Sequence, residues 1–133
     1  MNEKPLPQSD PHRWIDRARS NLTRAKHIIE GVYLEDLCFD AQQAAEKAIK
    51  AVLIFLGVRF PRTHDLAELL TLVEKAGWSV PEKVKRASML TPYAVESRYP
   101  GLSEPVNDEE HKEAVAIAEE VLRWAEEVLG GGK

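Results

Sequence analysis

Residues 33–57, "YLEDLCFDAQQAAEKAIKAVLIFLG", carry the clearest folding signal in the chain. Apolar residues recur there at steps of three and four, the period of one face of a helix; they are Leu34, Leu37, Ala41, Ala44, Ala48, Val52 and Phe55. Gly57 is typical of a helix C-terminus. Because alanines let a neighbouring helix approach closely, we predict a helix over about 33–56 at the centre of a bundle.

Capping signals and apolar periodicity predict four further helices around this one. Each begins at a side chain that can accept hydrogen bonds from the first backbone N–H groups of a helix, and these N-caps are Asp10, Thr63, Ser79 and Asn107. Each ends at a residue that reverses the chain or cannot continue a helix, and these are Gly31, Gly77, Pro100 and Gly130. No strand-like alternation is found. The predicted fold class is all-α, an up-and-down helical bundle of about five helices.

A chain of 133 residues fits one domain with one core. We expect a flexible lead-in over 1–9, where prolines and polar residues dominate, a single helical domain over 10–129, and a flexible tail over 130–133.

Composition limits the classes of function and the compartment. The net charge of -4 argues against a broad electrostatic contact with nucleic acid, although it is compatible with a local basic site. A lone Cys38 excludes an intrachain disulfide framework and fits the cytoplasm. The run "AVLIFLGV" is far shorter than the roughly 20 residues of a membrane span, so no membrane association is expected. No helix carries a metal-ligand pair, so we predict no metal and no cofactor.

If consecutive helices alternate in direction, the starts of the first, third and fifth helices share one end of the bundle with the ends of the second and fourth. That end is predicted to collect His12, Arg59, Arg62, His64, Arg98, Tyr99 and His111. Imidazoles move protons near neutral pH, and guanidinium groups stabilise phosphate charge. This end is therefore a candidate site for phosphate binding or phosphodiester cleavage.

The same residues also have structural interpretations. Arg98 can cap its own helix or pair with Glu96 or Glu104, and Tyr99 can pack where Pro100 stops the helix. The three histidines can be solvated or make only local hydrogen bonds.

The second helix also carries a polar flank, formed by Gln43, Glu46 and Lys50. A solvated Glu46–Lys50 pair is the favoured interpretation of this flank, and a polar patch in a dimer cleft is the alternative. Lys50 is retained as a candidate phosphate ligand.

Three motifs, in this order, resemble the HEPN domain family (higher eukaryotes and prokaryotes nucleotide-binding). They are "FDAQQAAEKAIKAVLIFLG", "THDLAELL" and "YAVESRYPG", and the likeness covers about residues 11–129. The resemblance implies a helical bundle that forms a homodimer and acts with a minimal nucleotidyltransferase in a toxin–antitoxin pair. It also implies binding of nucleotide or RNA, and in many members metal-independent ribonuclease activity.

The catalytic signature of that family is an arginine followed a few residues later by a histidine. Here Arg98 is followed only by His111, so the signature is absent as written. Three hypotheses remain open. The first is a binding module that holds a nucleotide or RNA phosphate through Arg98, Tyr99, Arg62 and Lys50. The second is a ribonuclease that uses Arg98 with His64 or His111. The third is a purely structural dimer.

Overall fold

The computed structural model describes residues 10–94 and 105–131. This part of the chain contains helices and no strand, so the predicted all-α bundle is confirmed. The helices are α1 (Pro11–Lys26), α2 (Leu34–Phe55), α3 (Leu66–Lys75), α4 (Glu82–Lys85) with a 3₁₀ segment (Arg86–Ala94) directly after it, and α5 (Asp108–Leu129). No helix in the described ranges is long and apolar enough to cross a membrane.

Helix α2 lies at the centre of the bundle, as predicted. It packs against α1, α3, the 3₁₀ segment and α5. Its alanines are completely buried, and these are Ala41, Ala44, Ala45, Ala48 and Ala51. Small side chains at these positions let the backbones of neighbouring helices come close, so α2 is surrounded rather than half-exposed.

Two of the predicted N-caps are confirmed, and one is displaced. Asp10 accepts a hydrogen bond from the His12 backbone, and Asn107 forms a reciprocal capping box with Glu110. Helix α3, however, is capped by Asp65 and not by Thr63. The Thr63 hydroxyl instead accepts from the Asp65 backbone N–H at 3.0 Å, so it orders the turn that precedes the cap.

The first helix ends earlier than predicted, at Lys26, and Gly31 lies in the following turn with a φ of 90°. Ile28 and Ile29, which come between, are exposed. No packing therefore holds the chain helical beyond Lys26, since a helix in a protein is stabilised mainly by its buried face.

A fourth helix begins at Glu82, close to the predicted start, but most of it is 3₁₀ rather than α. Only one α-helical turn forms, its N-cap position is Pro81, and Ser79 makes no capping hydrogen bond. Pro92 lies in the following 3₁₀ segment, where it removes a backbone donor and disfavours α geometry in the residue before it. Val84, Ala87 and Leu90 are buried at three-residue steps, the period at which 3₁₀ side chains align.

After α2, the chain runs back along the helix it has just left; residues 58–64 are the return segment. The Val58 N–H donates to the Leu53 carbonyl at 2.9 Å. The Phe60 ring lies 5.5 Å from Lys50 Nζ. His64 then reaches Glu46, so α3 starts beside the middle of α2.

Helix α5 runs antiparallel to the fourth helix, as the Lys83–Glu120 and Arg86–Glu113 pairs show, but its start is not at the predicted end of the bundle. The Val106 N–H donates to the Glu35 carboxylate at 3.0 Å, and His111 Nε2 lies 2.7 Å from the Ala25 carbonyl oxygen. The start of α5 is therefore at the end of the bundle where α1 ends and α2 begins. The predicted meeting of His111 with His64 is wrong, because the return segment carries the chain back along α2 before α3 begins and so adds one crossing that is not a helix.

The close approach of helices to α2 predicts the effect of enlarging one of its alanines. Ala48→Leu is expected to lower the free energy of unfolding by about 1–3 kcal/mol, because it overpacks a fully buried position. Ala116→Leu, at an exposed position of α5, is the matched control and should change it by less than about 0.5 kcal/mol. Urea titrations measure both. Equal effects would contradict the central position of α2.

Candidate functional site

The return segment and α2 form a group of polar side chains, the Glu46 cluster, consisting of Gln42, Glu46, Lys50 and His64. The Glu46 side chain is 7% exposed and accepts three hydrogen bonds. Gln42 Nε2 donates to Oε1 at 2.9 Å, Lys50 Nζ donates to Oε2 at 2.8 Å, and His64 Nδ1 lies 2.8 Å from Oε1. Both carboxylate oxygens are therefore occupied by protein partners.

Glu46 is ionised in the folded protein. Burial is the largest influence on its pKa and acts to raise it, but Lys50, His64 and Gln42 together outweigh burial. The pKa of Glu46 consequently lies below its ordinary value. A carboxylate that stays charged in this position can hold a neighbouring imidazole in a fixed orientation.

His64 presents one ring nitrogen to Glu46 and leaves the other free for chemistry. With Nδ1 against the carboxylate, Nδ1 carries the proton, because only a protonated nitrogen can donate there. The His64 side chain is 59% exposed, and no described residue contacts its Nε2 through a hydrogen bond. The neutral ring can therefore accept a proton at Nε2, and the protonated ring can donate one to an anion.

Lys50 differs from the sequence interpretation. The Glu46–Lys50 pair exists with its predicted spacing, but the Lys50 side chain is only 12% exposed, so the prediction of a solvated surface pair is wrong. The reason is the return segment, whose Phe60 ring lies over the ammonium group. Lys50 therefore affects the site by donating a hydrogen bond to Glu46, which lowers the pKa of that carboxyl group.

The arginines predicted at this end, Arg59 and Arg62, are exposed, and neither forms an ion pair with another described residue. Arg62 is two residues before His64 and is free to meet an anion. His12 is exposed at the start of α1. Arg98 and Tyr99 lie outside the described residues.

His111 does not belong to this group. It was expected to be solvated, but it is buried, and its Nε2 is bonded to the Ala25 carbonyl at the end of the bundle where α1 ends. Its place on the apolar face of α5, three residues before Ala114, explains the burial.

Cys38 is also buried and has no nucleophilic character. Burial raises the pKa of its thiol to about 12, and a hydrogen bond with Tyr93 only partly opposes this. A thiol with so high a pKa is protonated at neutral pH and unreactive. Over residues 10–94 and 105–131, no group of three or more His, Cys, Asp or Glu side chains is placed to hold a metal ion.

The sequence analysis named His64, Lys50 and Glu46, but it did not predict that Glu46 is buried and that His64 contacts it. A signal for it was present, since Asp40 and Glu46 are the two carboxylates that interrupt the alanine-rich stretch of α2, and both are buried. A buried charge requires partners, so each marks a place where another element must supply them.

Comparison with known proteins gives a consistent result. A family model described as HEPN domain matches residues 11–128. The structure is similar to that of TT1696 from Thermus thermophilus, with 31% identity and a TM-score of 0.77 over 88% of this chain and 96% of that one. It is also similar to ST0689, an archaeal HEPN homologue, with 30% identity and a TM-score of 0.71 over 88% and 95%. No curated protein matches significantly.

Replacing Glu46 tests the electrostatics of its cluster. Glu46→Gln leaves Lys50 buried without a counter-charge and is expected to lower the free energy of unfolding at pH 7 by about 3 kcal/mol. Because the folded pKa of Glu46 is lowered, its contribution is fully present above the unfolded value of about 4.3 and is lost as pH falls through the folded pKa.

The difference between wild type and Glu46→Gln should therefore shrink below about pH 4. Glu113→Gln, at a half-exposed carboxylate paired with Arg86, is the control and should change stability by less than about 1 kcal/mol. Denaturant titrations from pH 3 to pH 7 measure both variants. A small, pH-independent effect of Glu46→Gln would contradict the assignment.

Proposed function

The chain belongs to the HEPN domain family, and we propose that it is a module that binds the phosphate of a nucleotide or RNA and acts with a minimal nucleotidyltransferase partner. The observation that carries the proposal is His64, which the buried Glu46 carboxylate orients so that Nε2 faces solvent. Arg62, two residues before His64 in the return segment, is exposed and forms no ion pair with a described residue, so we propose it as a second phosphate ligand. An imidazole beside a free arginine suits a phosphate group.

Each residue of the proposed site has a distinct role. The protonated His64 ring donates from Nε2 to a phosphate oxygen, and Glu46 stabilises its positive charge. Arg62 forms a second, forked contact. Lys50 keeps Glu46 ionised and adds positive charge behind the site. Arg98 and Tyr99 are proposed as further ligands.

The partners follow from the family resemblance. We propose a cytoplasmic homodimer that associates with a nucleotidyltransferase in a toxin–antitoxin-like pair. Co-purification of this chain with a neighbouring nucleotidyltransferase gene product, together with light scattering of the complex, tests this part. Separate elution of the two proteins would count against it.

Metal-independent ribonuclease activity is the second candidate. One observation favours it: His64 is paired with a carboxylate at Nδ1 and exposed at Nε2, the arrangement of a general base held by an orienting group. In this hypothesis His64 removes a proton from the attacking hydroxyl, Arg98 stabilises the charge on phosphorus, and the bond from phosphorus to the leaving oxygen breaks as that oxygen takes up the proton from His64. His111 is not carried into the hypothesis, because it is buried against the Ala25 carbonyl.

A binding assay tests the leading proposal. With a fluorescent single-stranded RNA in chelator, His64→Ala and Arg98→Ala should each raise Kd by about tenfold, because each removes a charge-assisted contact. Arg123→Gln, which removes an exposed charge on α5, is the control and should leave Kd unchanged. Unchanged affinity in both His64→Ala and Arg98→Ala would overturn the proposed site.

A cleavage assay in chelator separates the two candidates. If the protein is a ribonuclease, His64→Ala should reduce the rate by about 100-fold or more, the usual contribution of a general base. Glu46→Gln should also reduce the rate, since it replaces the carboxylate that holds His64 Nδ1 in place. A wild-type dimer that binds RNA without cutting it would support the binding module instead.

A further inference from the structure

The second buried carboxylate of α2, Asp40, faces α1 and is fully satisfied there. Arg24 donates to it from Nη2 at 2.6 Å and from Nε at 3.3 Å, and Asn21 Nδ2 donates at 3.1 Å. The Asp40 side chain is 9% exposed. Its charge is balanced by Arg24 alone, so folding requires no further cation at this position.

Two more cations nevertheless lie on the same face of the α1–α2 pair as Arg24. Lys47 Nζ donates to the neutral Asn21 Oδ1 at 2.8 Å, and Arg17 makes no ion pair with any other described residue. The pKa of Lys47 is lowered, first by burial and then by the positive charges of Arg17 and Arg24, which outweigh the opposing effects of Glu46 and Asp40. Arg17, Arg24 and Lys47 are the α1–α2 basic cluster.

The charge of this surface remains positive when its acidic neighbours are counted. Asp40 offsets Arg24, and Glu46 is occupied by Lys50 and His64. Both carboxylates also lie near Lys47, but Arg24, Lys50 and His64 already pair with them, so Arg17 and Lys47 are surplus cations at this surface, in a chain whose net charge is -4. Like charges held together oppose folding, so their proximity is more readily explained by an anion bound between them than by stability.

The geometry limits the kind of anion. Arg17, Asn21 and Arg24 share one face of α1 at four- and seven-residue spacings, with the two arginines about 10 Å apart along the helix axis, and Lys47 on α2 is held at this face by its 2.8 Å bond to Asn21. Arg24 is 66% exposed and Arg17 is exposed, so both guanidinium groups are open to solvent. A site of this length suits two or more linked phosphates, and arginine forks match phosphate oxygens.

We propose that Arg17, Arg24 and Lys47 form a binding site for linked phosphates, supplied by either an RNA backbone or the triphosphate of a nucleotide. The proposal rests on contacts between α1 and α2 and does not depend on catalysis at His64. It assigns a ligand to residues that the sequence analysis did not identify.

The test uses the full chain with two probes, a fluorescent single-stranded RNA measured by anisotropy and ATP measured by calorimetry. Arg17→Gln should raise Kd for at least one probe by about tenfold. For RNA, it should also reduce the slope of log Kd against log salt concentration by about one, because one phosphate contact is lost. Arg17→Glu should weaken binding further. Because Arg17 pairs with no described residue, both variants should keep the wild-type melting temperature or exceed it.

If the Arg17 variants lose affinity only for RNA, the ligand of this site is an RNA backbone. If they lose affinity only for ATP, the ligand is the triphosphate of a nucleotide. Arg123→Gln is the matched control, since it removes the same charge from an exposed position of α5. Unchanged affinity in the Arg17 variants, an equal loss in Arg123→Gln, or a wild type that binds neither probe would overturn the proposal.

His64→Ala in the same assays separates this site from the proposed function. If affinity depends on Arg17 and not on His64, the basic cluster stands and the His64 site fails. If affinity depends on His64 and not on Arg17, the proposed function stands and the basic cluster is only a structural feature.

Discussion

The structure depends on keeping two charged carboxylates inside a helix that is surrounded by other elements. The alanines of α2 bring neighbours close, yet Asp40 and Glu46 interrupt the apolar surface and are both buried. An unpaired charge in such a place would cost several kcal/mol, so each carboxylate requires partners from another element. Helix α1 supplies them to Asp40, and the return segment supplies His64 to Glu46. The same pairing fixes the architecture and orients the polar groups at its surface.

The sequence predicted well those features that depend on local patterns. The limits of α2 follow from its apolar period and Gly57, and the start of α5 follows from the Asn107–Glu110 capping box, because both signals lie within a few residues. The fourth helix was located from the Ser79–Glu82 capping spacing, which does not report the helix type, and Pro92 with a three-residue apolar period favours 3₁₀ geometry there.

The arrangement of the site was harder to predict because it depends on long-range contacts. His64 and Glu46 are separated by 18 positions, and the return segment that joins them has no periodic signal. The alternation of helix direction suggested instead that His64 and His111 meet. In the structure His111 is a buried partner of α1, and His64 is the exposed histidine with a carboxylate behind it. The signal that the sequence did contain was the pair of acidic residues, Asp40 and Glu46, on the alanine-rich helix α2.

The orientation of His64 is the central claim, and NMR of the imidazole nitrogens tests it most directly. In ¹⁵N-labelled protein near pH 7.5, neutral His64 should carry its proton on Nδ1, as the bond to Glu46 requires. Added single-stranded RNA or ATP should then shift the Nε2 resonance of His64 and leave His111 unchanged. A His64 ring protonated on Nε2, or one whose resonances do not respond to either ligand, would contradict the account.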